Sequence, residues 1–208
     1  MLELLLKRYP ELSVCRETLE ASRELLLECY RSGGKLLVCG NGGSCADSDH
    51  IVGELMKGFL LRRPIPEEFR DTLKSVAPDY EEQLVNSLQG ALPAISLTAH
   101  GALLSAFAND MQPDMIYAQQ IYGYGRPGDV FLGITTSGNS NNVVHAAVVA
   151  KALGMKVIAL VGECSCRLDE WADVAIHVPR KETYQVQELH LPVYHYLCAA
   201  CEAEMFSQ

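Results

Sequence analysis

The sequence has few basic residues and no long apolar run. Its 208 residues include 17 lysines and arginines against 26 acidic residues, which gives a net charge of −9 at pH 7. Because such a surface repels phosphate backbones, nucleic-acid binding is disfavoured. The best candidate for a basic patch, Leu60–Pro64, holds two arginines. No apolar stretch reaches the roughly 18 residues that a transmembrane helix needs, so the sequence does not predict a membrane-spanning protein.

The N-terminus lacks the features of a secretory signal peptide, since its apolar run is short and is interrupted by charges. We therefore expect a soluble, cytoplasmic protein whose eight cysteines are free thiols and not a disulfide framework. The close pairs Cys164/Cys166 and Cys198/Cys201 do not have the two separated C-x2-C pairs that are typical of zinc sites.

Short apolar segments alternate with helical patterns along the chain. This alternation predicts a parallel sheet that is covered by helices on both faces. We predict an α/β fold, a three-layer αβα sandwich with a five-stranded parallel sheet, in a single domain over residues 1–208. The predicted strands are Lys35–Cys39, a segment within Leu92–His100, Asp129–Ile134, Lys156–Gly162 and Val174–Pro179.

Three segments are predicted as additions to this sandwich. Residues 1–33 read as two helices separated by Pro10, and residues 184–206 read as a long C-terminal helix. Residues 62–90 are charged and helical in pattern, and they interrupt the alternation between the first helix of the sandwich and its second strand. Two interpretations of this insertion remain open, a solvated surface element and a lid over a site.

A glycine-rich turn, Gly40–Ser44 (GNGGS), follows the first predicted strand. Its glycines Gly42 and Gly43 let the backbone pass close to a ligand, and Ser44 is placed to cap the next helix, whose first amides attract anions. The turn is not a dinucleotide fingerprint, because Cys45 stands where G-x-G-x-x-G requires glycine. It is not a P-loop either, because no G-K-[ST] follows.

A hydroxyl-rich loop, Thr135–Ser140 (TTSGNS), follows the third predicted strand. The hydroxyls of Thr135, Thr136, Ser137 and Ser140 precede a helix start. Hydroxyls and helix-terminal amides together make a phosphate cradle without a lysine. The alternative is an ordinary turn with a helix cap. Because two such loops follow strands of one parallel sheet, they share its carboxyl edge, which favours a phosphorylated ligand.

His50 and Glu54 are four residues apart on a predicted helix and therefore share one face. An imidazole and a carboxylate at this spacing are half of a usable Zn²⁺ site. The alternative is an ordinary pair on the helix surface.

The motifs GNGGS-x5-H-x3-E, ND, TTSGNS and Q-E-x-H-x4-H, in this order, resemble the sugar isomerase (SIS) domain, and most closely the phosphoheptose (sedoheptulose 7-phosphate) isomerases. The resemblance implies that Glu54 is the base that moves a proton between C1 and C2, and that His195 is its acid/base partner. It further implies that Glu54 and His195 bind Zn²⁺ or another divalent metal together with His50 and Gln187. Finally, it implies a homotetramer with sites at subunit interfaces.

The same resemblance implies substrate contacts in three places. It assigns ligand contacts to the first loop (Asn41–Ser44), to the hydroxyl-rich loop, and to Asn109 and Asp110 near the sugar hydroxyls. For Asn109 and Asp110 a helix-terminating turn is an equal alternative. Tyr184 and Gln185 stand where the family tends to have Asp and Arg, and the insertion is longer than expected. The sugar is therefore not fixed by the resemblance.

Gln187 and His195 are eight residues apart, which is about 12 Å along an ideal helix. For both to reach one ion, Gln187 must lie at a frayed helix start, Pro192 must bend the helix, or two subunits must contribute. His190, between them, is predicted to be structural.

The function that these features favour is an aldose–ketose isomerase acting on a phosphorylated sugar. The main alternative is a non-catalytic SIS protein that binds a sugar phosphate or a replication-initiation partner and acts as a regulator. Such a protein would not need a carboxylate and an imidazole in its site, so Glu54 and His195 favour the enzyme. A phosphosugar lyase or etherase is a third possibility that would also use a glutamate.

Overall fold

A computed structural model describes residues 1–206, and a sheet of five parallel strands forms their centre. The strands lie in the order β2-β1-β3-β4-β5. Every residue of β1 and β3 is buried, as expected for apolar strands that are covered on both faces. The prediction of a five-stranded parallel sheet is confirmed, with small differences at the strand ends. The strands are β1 (Leu36–Gly40), β2 (Ala94–Ser96), β3 (Val130–Ile134), β4 (Lys156–Val161) and β5 (Val174–His177).

Helices connect the strands and extend both ends of the sandwich. Three short 3₁₀ segments, Pro10–Cys15, Pro113–Met115 and Arg167–Glu170, lie between them. None of the helices within residues 1–206 is long and apolar enough to cross a membrane. The α-helices are α1 (Leu2–Arg8), α2 (Arg16–Arg31), α3 (Gly43–Met56), α4 (Glu67–Val76), α5 (Pro78–Ser87), α6 (Gly101–Asp110), α7 (Ile116–Tyr124), α8 (Asn141–Ala152) and α9 (Thr183–Phe206).

Alternate residues of the strands face two different helical layers. Leu36 and Val38 of β1 belong to a core that includes residues of α1, α2, α3 and α9. Leu37 and Cys39, which point to the other face, belong to a core with α7 and α8. This period of two residues is the expected result of the strand pleat. The predicted three-layer αβα arrangement is confirmed.

The strand order brings the ends of β1 and β3 together. Gly40, the last residue of β1, pairs with Ile134, the last residue of β3. The connections from these strands run to opposite faces, because α3 packs in the layer of α9 and α8 packs in the other. Ligands of open α/β sheets bind at such a reversal, beyond the carboxyl ends of the strands. The fold therefore places Asn41 and Thr135 at the start of a shared crevice.

The insertion contains helices α4 and α5, and neither helix has a buried residue. The two helices contact each other, and Arg70 of α4 pairs with Glu81 of α5 at 3.1 Å. This exposure fits a solvated surface element.

Arg63 is completely buried, so Arg62 is the exposed arginine of the two in the candidate basic patch at Leu60–Pro64. Arg63 Nε donates to Glu202 Oε1 at 2.7 Å, and Glu202 is also completely buried. The carboxylate accepts further hydrogen bonds from the backbone of Phe59 and Leu60. Burial opposes ionisation of Glu202, but these amides and the guanidinium together hold its pKa below the ordinary value. The pair joins α9 to the segment that follows α3.

We expect Glu202→Gln to lower the free energy of unfolding by about 3–5 kcal/mol in urea titrations, because it leaves Arg63 buried without a counter-charge. Glu204→Gln is the matched control. Glu204 pairs with Arg31 at 3.6 Å, and both side chains are more than half exposed. We expect this control to change stability by less than about 1 kcal/mol.

The free energies of unfolding of the wild type and of Glu202→Gln should also depend differently on pH. Because the folded-state pKa of Glu202 is depressed, its contribution is complete above the unfolded-state pKa and is lost as the pH falls through the folded-state value. The stabilities of the wild type and Glu202→Gln should therefore converge at acid pH. Two results would contradict this role of the buried pair. One is a stability difference between the wild type and Glu202→Gln that stays constant with pH, and the other is an equal loss of stability in Glu202→Gln and Glu204→Gln.

Candidate active site

The loop after β1 contacts a buried tyrosine of α7 and also packs against α9. Tyr117 Oη donates to the carbonyl oxygen of Gly40 at 2.8 Å and lies 3.3 Å from Asn41 Oδ1. A Cβ atom on Gly43 would lie only 2.5 Å from the side-chain nitrogen of Gln187. A side chain at this position would have to displace the end of the Gln187 side chain, because the amide group of Gln187 lies directly on the backbone of Gly43.

Ser44 does not cap α3, contrary to the sequence prediction. The helix begins at Gly43, with Gly42 in the N-cap position and no side-chain cap. Gly42 has a φ of +56°, which favours glycine and lets the chain turn into the helix two residues earlier than expected. Ser44 is buried within the first turn. The start of α3 therefore has no side-chain cap, and the amides of Ser44 and Cys45 donate instead to the carbonyl oxygens of Asn41 and Gly42 at 3.0 and 3.1 Å.

The loop after β3 brings together the hydroxyls of the predicted phosphate cradle. Thr135 Oγ1 and Ser140 Oγ lie 3.0 Å apart, and Ser140 is the N-cap residue of α8. Ser137 is exposed and accepts a hydrogen bond from the backbone N–H of Asn139 at 3.2 Å. Thr136 is half-buried beside them. The cradle is thus lined by hydroxyls and by the start of a helix.

The two loops are joined directly. Asn41 donates from its side-chain nitrogen to Asn142 Oδ1 at 2.9 Å, and Asn142 donates back to Asn41 Oδ1 at 2.9 Å. This reciprocal amide pair links the segment before α3 to the first turn of α8. The starts of both helices therefore face one crevice, where their positive dipole ends favour an anion.

A second group of functional side chains lies further along α3. One possible ligand atom from each of His50, Glu54 and His195 lies within 4.8 Å of those from the other two. His50 Nε2 is 3.0 Å from Glu54 Oε1, as the spacing of four residues predicted. His195 is brought from α9, and its ring centre is 5.0 Å from that of His50. We call these three residues the His–Glu–His cluster.

His195 has a partly apolar environment that favours its neutral form. Phe59 packs against it with a ring-centre distance of 5.4 Å, and His195 lines a largely apolar cavity of about 350 Å³ between α1 and α9. Burial, together with the neighbouring His50, lowers the pKa of His195. Its Nε2 is buried and has no hydrogen-bond partner among residues 1–206. A neutral imidazole with a free nitrogen can accept a proton or bind a metal.

Two residues that the sequence reasoning missed support the cluster. Tyr194 Oη lies 3.0 Å from His50 Nδ1 and 3.2 Å from Asp47 Oδ1. Asp47 precedes His50 by three residues on α3, so a helical projection could have placed the two together. For Tyr194 the sequence offers no signal beyond its position next to His195.

Gln187 lies apart from the cluster within the chain. Helix α9 begins at Thr183 and continues past Pro192, which rules out a frayed start at Gln187, one of the three alternatives that the sequence left open. Its amide contacts Gly43, at the opposite end of α3 from Glu54. Of the four predicted metal ligands, the chain brings three together and places the fourth beside the first loop.

His190 is completely buried in the core, and burial lowers its pKa to about 4. Its imidazole is therefore neutral and out of reach of a ligand in solvent. Asn109 and Asp110 are the last two residues of α6, where they are exposed and hydrogen-bond each other at 2.9 Å. Tyr184 is exposed in the first turn of α9.

The cysteines take no part in this arrangement. All eight are free thiols, as predicted. Cys198 and Cys201 are buried on α9, whereas Cys164 is exposed and Cys166 is half-buried near the cradle. Within residues 1–206, the His–Glu–His cluster is the one group of three or more His, Cys, Asp or Glu side chains whose possible ligand atoms all lie within 4.8 Å of one another.

The donor set of the cluster fits a divalent metal. Two imidazoles and one carboxylate are common ligands of Zn²⁺. The unpartnered and buried Nε2 of His195 supports the same interpretation, because a buried polar atom without a partner is unfavourable unless something binds it.

The sequence and the fold both match known proteins. The SIS domain family matches residues 11–89 and 83–162. The phosphoheptose isomerase of Synechocystis sp. is 35% identical over 190 residues, which covers 91% of this chain and 84% of that protein.

Two solved structures agree with this match over most of their length. The phosphoheptose isomerase of Neisseria gonorrhoeae superposes with a TM-score of 0.72 at 32% identity, covering 90% of this chain and 87% of that one. A phosphoheptose isomerase from Francisella tularensis gives 0.76 at 28% identity, covering 96% and 93%. The chain therefore belongs to the SIS domain family and, within it, groups with the phosphoheptose isomerases.

Proposed function

We propose that this protein is an aldose–ketose isomerase that acts on a sugar phosphate, sedoheptulose 7-phosphate or a related phosphosugar. The observation that carries the proposal is the meeting of Glu54, His50 and His195 within 4.8 Å. A protein that only binds a phosphosugar has no need for a carboxylate and two imidazoles at one place. The names of the relatives support the same substrate class.

The chemistry requires a group that moves a proton between adjacent carbons and a second group that stabilises the enediolate. Glu54 is the base that takes the proton from one carbon and returns it to the next. Its Oε1 lies 3.0 Å from His50 Nε2, and Lys57 Nζ is 3.5 Å from its other oxygen. His195 is the acid/base partner, because its lowered pKa leaves a neutral imidazole that exchanges protons with the substrate oxygens.

We further propose that His50, Glu54 and His195 hold Zn²⁺ or another divalent metal. Such an ion, when bound, supplies a Lewis acid that polarises the substrate carbonyl. Gln187 lies with the first loop, so its contribution to a metal or to the substrate would come from that side of the site.

The cradle is proposed to bind the phosphate group. Ser44 and the amides of α3 lie on one side, and Thr135, Thr136, Ser137 and Ser140 lie on the other with the start of α8. Asn41, Gly42 and Gly43 complete the first loop. Neutral donors and two helix termini are sufficient to bind a phosphate without a lysine. We propose that Asn109 and Asp110 contact the sugar hydroxyls.

A single chain keeps the cradle and the cluster at different levels of α3. His50 lies six residues after Ser44, and Glu54 lies ten residues after it. At the rise of an ideal helix they are about 9 Å and about 15 Å further along α3. We therefore propose that residues 1–208 form one domain that assembles as a homotetramer, with sites completed across subunit interfaces. Apolar side chains available for such contacts include Leu103, Met111 and Tyr122, which are 38%, 66% and 68% exposed.

The first test concerns the phosphate. Ser137→Ala should weaken binding of the sugar phosphate by about 1–3 kcal/mol, because a buried phosphate oxygen loses its donor. Isothermal titration with sedoheptulose 7-phosphate measures the change. Ser105→Ala, an exposed serine on α6, is the control and should bind as the wild type does. Equal affinity in both variants would remove Ser137 from the site.

The second test concerns the base. Glu54→Gln retains the shape of the side chain but cannot take a proton, so turnover should fall by at least about 10²–10⁴-fold while the sugar phosphate still binds. Exchange of the C2 proton with deuterium from the solvent, followed by NMR, reports this step directly. Glu28→Gln, an exposed glutamate on α2, is the control. Full exchange in Glu54→Gln would assign the base elsewhere, and no exchange in the wild type with divalent metal present would favour a binding protein.

The third test asks whether two copies build one site. Glu54→Gln and Ser137→Asp should each be nearly inactive alone, the second because its carboxylate repels the phosphate. If the cradle and the cluster of one site come from different copies, mixed assemblies of the two variants should regain isomerase activity above the sum of the parents. Mixing Glu54→Gln with His195→Ala, both in the cluster, should give no recovery. Recovery in the control alone, or in neither mixture, would contradict the shared site.

A further inference from the structure

The hydroxyl of Tyr194 connects two side chains of α3 inside the protein. It lies 3.0 Å from His50 Nδ1 and 3.2 Å from Asp47 Oδ1, and Tyr194 itself is 1% exposed. The ring of Tyr194 also packs edge-on against His50 and His195, at ring-centre distances of 5.5 and 5.1 Å. Tyr194 is therefore fixed in position by contacts with both histidines of the His–Glu–His cluster.

A tyrosine hydroxyl has one proton, so it donates to one of these neighbours and accepts from the other. An ionised carboxylate only accepts. When Tyr194 donates to Asp47, its oxygen is left to accept from His50, and the proton of that imidazole must lie on Nδ1. The other ring nitrogen, Nε2, then carries a free lone pair. It is Nε2 that lies 3.0 Å from Glu54 Oε1. In this tautomer both atoms are acceptors, so a cation bound between them would satisfy both lone pairs.

We propose that Asp47 and Tyr194 form a relay that holds His50 in the tautomer with Nδ1 protonated, so that Nε2 is presented to a divalent metal between Glu54 and His195. This proposal rests on the metal site proposed above. In metal sites, hydrogen bonds to the second ring nitrogen of a ligating histidine orient the ring and fix its tautomer. Asp47 and Tyr194 are thus positioning residues that act through His50.

The local geometry explains why these two residues are suited to the role. Asp47 and His50 are three residues apart and share a face of α3. Tyr194 and His195 are consecutive on α9, so a single turn of that helix supplies both the support for His50 and a further ligand. The side chains that contact His50 therefore come from two helices, Glu54 from α3 and Tyr194 and His195 from α9.

The test compares two tyrosine-to-phenylalanine variants in direct metal titrations without substrate. Tyr194→Phe removes only the relay hydroxyl, and we expect its affinity for Zn²⁺ and Co²⁺ to be about 10–100-fold lower. Tyr30→Phe is the matched control, since the Tyr30 hydroxyl is also buried but has no partner among residues 1–206. It should bind both metals as the wild type does. Asp47→Asn should weaken binding in the same direction as Tyr194→Phe.

A second measurement separates the relay from a general effect on folding. In the Zn²⁺-loaded wild type, ¹⁵N NMR of His50 should show a protonated Nδ1 and a metal-bound Nε2, and Tyr194→Phe should change the Nδ1 signal where Tyr30→Phe does not. A metal affinity in Tyr194→Phe within about twofold of the wild type, or a wild type that binds neither metal, would overturn the proposal. Failure of the isomerase function would appear separately, as absence of substrate exchange in a wild type that binds metal normally.

Discussion

The buried pair of Arg63 and Glu202 is the interaction on which the site depends. Arg63 donates to the carbonyl oxygens of Leu55 and Glu54 at 2.6 and 3.0 Å. It therefore provides hydrogen-bond partners for the last carbonyl groups of α3, including that of Glu54, the proposed base. Glu202 accepts from the amides that follow α3 and thereby fixes them to α9. Removal of either partner would leave an unpaired charge in the core, which makes this connection hard to change. The position of Glu54 relative to α9 is set by this pair.

The contacts between α3 and α9 occur in the same order along both helices. Gln187 contacts Gly43, His195 contacts His50, and Glu202 binds the segment after α3. The two helices therefore run in the same direction, as expected for helices that follow parallel strands on one face of the sheet. Because this packing is part of the core, the side chains of the His–Glu–His cluster project from two well-packed helices. The same packing places Gln187 beside the first loop and not beside the cluster.

The regular parts of this structure could be predicted from the sequence because they depend on local patterns. Apolar runs gave the strands, and the spacing of His50 and Glu54 gave a shared helix face. What escaped prediction depends on packing between distant segments. Arg63 looked like a surface charge because its partner, Glu202, is 139 residues away. Nothing in the sequence marks Tyr194 beyond its position next to His195, and its hydroxyl gains a role only when α9 lies against Asp47 and His50.

In the proposed function, helix α3 contributes to phosphate binding at its first turn and to proton transfer at Glu54. Its first turn faces the crevice, where the helix dipole favours an anion, and this effect fades within about one turn. Glu54 lies about 15 Å further along the helix, beyond that field. The nearest polar neighbours of Glu54 are therefore local, since His50 Nε2 and Lys57 Nζ lie 3.0 and 3.5 Å from its two oxygens. In the proposed function, phosphate binding and proton transfer thus depend on separate contacts. The backbone of α3, whose last carbonyl oxygens accept hydrogen bonds from Arg63, connects them.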